Sequence, residues 1–125
     1  MATGIEIVAP AIANAKRNAM LNGLSEKTTF FCSDAGTEIP KLIHAGKKYD
    51  AAILDPPRKG ADSALLNALA EAKISKIAYV SCDPATLARD IKQLSANGYI
   101  LEWAQPVDMF PWTSHVETVV LLSRK

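Results

Sequence analysis

Cysteine is scarce in this chain: Cys32 and Cys82 are the only two among 125 residues, and no Cys-x-x-Cys pair occurs. That excludes a disulfide scaffold and leaves no thiolate set for zinc or an iron–sulfur cluster. Two free thiols in a reducing cytoplasm are the expectation. No apolar run approaches the roughly 18 to 20 residues of a membrane span, and the N-terminus lacks the basic-then-apolar layout of a signal peptide. A soluble, intracellular protein without a membrane partner is therefore expected. Neither sign of charge dominates, since 14 basic and 13 acidic residues leave +1. The strongly basic field of a self-sufficient nucleic-acid binder is missing, so any RNA contact must be local or shared with another domain.

What is present suits one domain with one core, 49% of the residues being hydrophobic. Short apolar or β-branched runs alternate with longer amphipathic segments, the pattern of an α/β protein with a mostly parallel sheet. The spacing predicts a strand over Gly4–Val8, a helix from Pro10 to about Leu21, a strand over Thr28–Cys32 and a helix near Glu38–His44. A strand over Ala51–Leu54, a helix over Ala61–Ala72 and a strand over Lys76–Ser81 follow. Pro84 opens a further helix capped by Asp83, ending near Asn97-Gly98. Tyr99–Gln105 and Val116–Ser123 leave no room for a crossover helix between them, so they should pair antiparallel.

In open parallel sheets ligands bind at the carboxyl ends of strands, and there this sequence is unusual. Asp55 follows four apolar residues directly and is fixed by Pro56-Pro57, which remove two backbone donors and set the chain direction. Cys82 lies between a strand end and a helix start. A lone cysteine is most often a small buried hydrophobe, but helix N-terminal amides favour a thiolate while the charge of Asp83 opposes it. Glu117 interrupts the approach to Val119–Leu122 and reads equally as an exposed edge residue. His115 has no second ligand near it and reads as a hydrogen-bonding partner; no metal site is expected. Glu6 and Asp34 are placed to meet a ribose diol and an adenine amine, or else to serve as turn and cap acids. Arg58, Lys59 and Arg89 are either phosphate contacts or solvated surface.

Taken together, Leu54-Asp55-Pro56-Pro57-Arg58-Lys59-Gly60, Tyr79 to Asp90 (YVSCDPATLARD) and Asp108 to Glu117 (DMFPWTSHVE) resemble the RNA 5-methyluridine methyltransferases, over nearly the whole chain. Trp112 departs from the pattern, histidine standing there in many members. The resemblance implies a class I S-adenosyl-L-methionine-dependent (Rossmann-like) α/β sheet closed by a C-terminal antiparallel hairpin, with S-adenosyl-L-methionine as cofactor. It implies Cys82 as nucleophile, Glu117 as base, and Asp55 with the Pro56 backbone and Arg58 holding substrate. Cofactor contacts fall to Glu6, Asp34 and Asp55. RNA is the implied partner, ribosomal (23S) rather than transfer RNA from the wording of the Cys82 and Glu117 segments.

A class I sheet ordinarily begins with a strand and a glycine-rich cofactor turn, and neither is found before Glu6. The chain is therefore expected to form a single partial catalytic domain lacking the first β/α unit. A gap should then lie between the Ile5-Glu6-Ile7 and Ala52-Ile53-Leu54 strands, closed directly or by strand exchange between copies, with weak cofactor binding and no activity in isolation. Three rivals compete with the uracil reading. An amino-methyltransferase would also use acid-Pro-Pro, but it usually has an aromatic where Arg58 stands and has no use for Cys82. A nucleotide-dependent oxidoreductase and a non-catalytic fragment are the others.

Overall fold

The computed structural model describes all 125 residues, as β1 (Ala2–Glu6), α1 (Ala9–Leu21), a 3-10 turn (Ser25–Lys27), β2 (Thr28–Cys32), α2 (Ala35–His44), β3 (Ala51–Leu54), α3 (Ser63–Glu71), β4 (Lys76–Ser81), α4 (Pro84–Ala96), β5 (Tyr99–Val107) and β6 (Glu117–Arg124). Each helix start has a local cause. Asp34, Asp62 and Asp83 cap α2, α3 and α4 by accepting from Thr37, Ala64, and both Ala85 and Thr86 amides. Pro10 and Pro84 occupy first turns, where a missing N–H costs nothing.

The first strand ends two residues earlier than its apolar run suggests. Parallel pairing with β2 fixes Ala2 opposite Thr28 and Glu6 opposite Cys32. Val8 is thereby left as the N-cap of α1, and the Glu6 carboxylate turns back to accept from the Val8 amide at 2.8 Å.

The strands form two sheets. β1 pairs only with β2; β3, β4, β6 and β5 form a second sheet in that order. β3 and β4 are parallel, whereas β6 runs antiparallel to both β4 and β5, the expected terminal hairpin. Direct closure between β1 and β3 does not occur, a correction to one of the two outcomes expected. The helices join the halves instead. α2 packs on both β1 and α3 and so bridges the two halves, while β1 and β3 remain unpaired. A slot of about 610 Å³ remains, walled by Ala2, Thr3, Ile5 and Ala51–Leu54 and floored by Ile39, Leu42, Leu65 and Leu69.

The core belongs to the second sheet. Eleven residues form one buried cluster, including Leu66, Leu69, Ile77, Tyr79, Leu94, Tyr99, Val120 and Leu122. In strand register Ile77 meets Leu122 and Tyr79 meets Val120 on the face covered by helices. On the opposite face Ile53, Ala78, Leu121 and Trp103 form a row in register, Ile53 and Trp103 exposed at its ends and Ala78 and Leu121 half-buried between them.

Candidate active site

Three chain segments converge at one edge of the four-stranded sheet. β3 and β4 are parallel and end there in Asp55 and Cys82; β6 runs the other way and begins there with Glu117. The last β4–β6 pair is Ser81 with Thr118, so continuing the ladder by one residue sets Cys82 opposite Glu117. Asp55 lies one residue beyond the Leu54–Tyr79 pair. None of the side chains of Asp55, Cys82 and Glu117 takes part in a hydrogen bond or ion pair within the chain. Cys82 is a free, half-buried thiol.

The turn holding Cys82 is fixed from both sides. The buried Ser81 hydroxyl donates to the Asp83 carbonyl at 2.9 Å, and Oγ of Ser81 accepts from the Asp83 amide at 3.1 Å. Asp83 accepts from the Thr86 and Ala85 amides, which, with the charge of Arg58, hold its carboxyl below the usual carboxylate range. Those amides are therefore spent on Asp83. The stabilisation expected for Cys82 from the helix N-terminus is shared with a neighbour already negatively charged.

Arg58 ties the loops together. Its Nη2 is 3.3 Å from His115 Nδ1, and its carbonyl accepts from Thr86 Oγ1 at 3.1 Å. The Asp55 loop thus touches both α4 and the loop preceding Glu117. Pro56 lines the slot beside Asp55. Arg89, a candidate phosphate contact on sequence, stays largely exposed while its guanidinium donates to Asp90 and to the Lys59 carbonyl. Lys59 is exposed.

Glu6 and Asp34 lie across the slot, on the two-stranded side. Glu6 Oε1 is used on Val8, and Asp34 Oδ1 on Thr37 as the cap of α2. Each keeps its second oxygen without a partner. S-adenosyl-L-methionine offers donors: ribose hydroxyls, an adenine amine and an ammonium. A row of acceptor-only carboxylates at Glu6, Asp34 and Asp55 fits those donors in chemistry. Glu6 ends β1, Asp34 follows β2 by two residues and Asp55 follows β3 directly, and of the three Asp55 lines the slot.

One residue escaped sequence reasoning. Asp90 is 1% exposed and accepts from Tyr79, Ala61 and Arg89. The signal was available, because Leu87, Asp90 and Leu94 share one helical face and an acid within a buried stripe must have partners.

The strand order, with crossover helices and a terminal antiparallel hairpin, defines the class I S-adenosyl-L-methionine-dependent methyltransferase fold. Solved structures of that class superpose on the chain. Magnesium protoporphyrin IX methyltransferase of Synechocystis, with bound S-adenosyl-L-homocysteine, matches at TM-score 0.69 and 19% identity, over 98% of this chain and 63% of that one. At that identity the likeness is one of fold alone.

The family is narrower. The model of the tRNA (uracil-5-)-methyltransferase family matches residues 42–125, and the chain belongs to that family. The tRNA (uracil-54, C5)-methyltransferase of Pyrococcus abyssi, in complex with S-adenosyl-L-homocysteine, is 33% identical at TM-score 0.77, over 96% of this chain and 28% of that one. An uncharacterized RNA methyltransferase of Clostridium acetobutylicum is 53% identical over 97% of the chain. The chain spans 26% of that relative's length.

Proposed function

We propose that the chain carries the reaction site of an S-adenosyl-L-methionine-dependent RNA methyltransferase acting on carbon 5 of uridine, with 23S ribosomal RNA as target. The observation that carries this reading is the meeting of Asp55, Cys82 and Glu117 at one sheet edge, all with uncommitted side chains. The ribosomal assignment rests on the wording of the Cys82 and Glu117 segments. The matching family and the Pyrococcus relative are both described by transfer RNA, so the test needs both RNAs.

Carbon 5 of uracil is a poor nucleophile. Attack of the Cys82 thiolate on carbon 6 forms an S–C bond and moves the ring electrons into an enolate, making carbon 5 nucleophilic. S-adenosyl-L-methionine, when bound, would supply an electrophilic methyl group to carbon 5, its S–CH3 bond breaking to leave S-adenosyl-L-homocysteine. Carbon 5 then carries both the methyl group and its original proton. Glu117 takes that proton, the electron pair restores the C5–C6 double bond, and Cys82 leaves as thiolate. Asp55 and Pro56 hold the base at the transfer point, Arg58 meets the adjoining phosphate, and Glu6, Asp34 and Asp55 hold the cofactor. The target base must be unstacked to reach this edge.

The test is a chimera in which this chain replaces the matching quarter of the Clostridium relative. Incubated with unmodified ribosomal and transfer RNA, it should place 5-methyluridine in ribosomal RNA. Cys82→Ala should lower the rate by roughly 10⁴-fold or more, the scale of losing a covalent nucleophile. Retained uridine methylation in that variant would refute the covalent mechanism, and product in transfer RNA alone would refute the target.

The 125-residue chain alone is proposed to be inactive and to bind cofactor weakly, because the slot leaves one side of the cofactor site unwalled. Micromolar affinity by calorimetry would overturn this. Unpaired edges on β1 and β3 favour strand exchange between copies in a cytoplasmic setting. Sedimentation should show concentration-dependent dimers that Ile53→Lys shifts toward monomer; unchanged dimer would place the contact elsewhere.

A further inference from the structure

Between Asp55 and α3 the chain crosses Arg58–Ala61, a segment outside any helix or strand, yet it is stitched to α4 at successive residues. Thr86 Oγ1 donates to the Arg58 carbonyl at 3.1 Å, and Arg89 Nη2 donates to the Lys59 carbonyl at 2.9 Å. The Ala61 amide donates to Asp90 Oδ2 at 2.7 Å. The same oxygen accepts from Tyr79 at 2.6 Å, while Oδ1 accepts from Arg89 at 2.7 Å. Gly60 lies in the middle with φ +82, and a Cβ there would come within 2.5 Å of Arg89 Nη2 and 2.6 Å of Asp90 Oδ2. Only glycine satisfies both the backbone angle and the close approach.

A buried carboxylate costs much to desolvate unless it is fully partnered. Asp90 is fully partnered, and its partners come from three places: strand β4, helix α4 and the loop from Asp55. Burial and the Asp90 hydrogen bond hold the Tyr79 hydroxyl protonated well above its ordinary range, so it remains a donor. A loop needing only to turn would not require such a centre, because solvent could satisfy its backbone.

We propose that Asp90 is a positioning residue that locks the Asp55 loop onto the Cys82 turn, so that the carboxylate and the nucleophile are presented as one rigid unit. Cys82 precedes α4 by two residues and Asp55 precedes the clamped segment by three. The clamp fixes the far side of both. Arg58 is held by the same stitching and carries the arrangement on to His115 and the loop before Glu117. The proposal rests on the functional reading above for what is being positioned, but the clamp has its own readout.

The test uses two variants acting from opposite sides, Asp90→Asn and Gly60→Ala, with Gln93→Ala on the same helix as control. In the full 125-residue chain, hydrogen exchange at the bonded amides of Gly60 and Ala61 should speed up roughly tenfold or more in both variants, with β4 and β6 unchanged. In the chimera both should lower kcat roughly 100-fold, the cost of misplacing reacting groups by about an ångström, with KM for RNA little altered. Gln93→Ala leaves every bond to Asp90 in place, removing only the α4 contacts to Ser63 and Asn67, and should retain most of the turnover. Uniformly faster exchange across the whole core, with normal turnover per folded molecule, would show Asp90 to be a structural acceptor only and would overturn the proposal. If the unmutated chimera transfers no methyl group, the functional reading fails, and the loop exchange alone decides for or against the clamp.

Discussion

The two halves of this molecule bury very different amounts of side chain. The four-stranded half contains the contiguous core, with Leu66, Ile77, Tyr79, Leu94 and Leu122 essentially inaccessible. In β1, α1 and β2 only Ile12 and Ala19 are buried, while Ile7, Met20, Leu21 and Leu24 remain exposed. The division follows the proposed chemistry. Asp55, Cys82 and Glu117 stand on the well-packed half, where positions can be held closely, and Glu6 and Asp34 stand on the sparsely packed half. The residues proposed to make bonds thus belong to the densely packed half, and the outer contacts proposed for the cofactor to the sparsely packed one.

The sharpest way to break that division is to remove one acid from each half of the chimera. Glu117→Gln should lower turnover by roughly 10²- to 10⁴-fold, the usual contribution of a positioned base. It should also accumulate a denaturation-stable protein–RNA adduct, because attack and methylation proceed while the carbon-5 proton stays in place. Glu6→Gln should instead raise the KM for cofactor with little effect on kcat. An adduct with Glu6→Gln and none with Glu117→Gln would invert the assignment.

Stability should divide in the same way. Leu94→Ala removes a fully buried side chain from the main core and should cost about 2–5 kcal/mol in denaturant unfolding. Ile12→Ala should shift the global transition roughly half as much or less, because its half can open separately across the slot. Native-state hydrogen exchange would show this as faster exchange confined to β1, α1 and β2. Equal losses at both positions would mean that the α2–α3 contact makes the halves one cooperative unit.

How much of this was legible before any coordinates depended on how local the cause was. Strands β2, β3 and β4 carry their bounds in sequence, since Ala51–Leu54 is apolar throughout and stops at Asp55-Pro56-Pro57. The first strand was misplaced because Ile5, Ile7 and Val8 form the more apolar run, whereas pairing with Thr28–Cys32 selects Ala2–Glu6. Register is a property of two segments and cannot be read from one. The separation of the sheets was also non-local, being a matter of whether β1 and β3 pair. Asp55, Cys82 and Glu117 stood out as polar residues at the ends of apolar runs. For Asp90 the helical spacing with Leu87 and Leu94 signals burial, but not the partner, because Ala61 is 29 residues away in sequence.

The finest expected difference between the halves is in their response to acid. Helix α4 begins on a charged cap, Asp83, which accepts from two first-turn amides, whereas the N-cap of α1 is Val8, whose side chain caps nothing, the Glu6 carboxylate reaching only the Val8 amide ahead of the first turn. The Thr86 and Ala85 amides, with the charge of Arg58, lower the Asp83 value in the folded chain. In the unfolded chain an aspartate titrates near 3.9. A group depressed on folding contributes stability that is complete above its unfolded value and is lost as pH falls through the folded one. The first turn of α4 should therefore loosen at the acid end of that window, seen as pH-dependent shifts of the Ala85 and Thr86 amide resonances, while the first turn of α1 shows no matching transition. Asp83→Asn keeps a good cap but removes the charge, so it should flatten the α4 response. Persistence of the same transition in Asp83→Asn would trace the acid sensitivity to another carboxylate and remove this distinction between the halves.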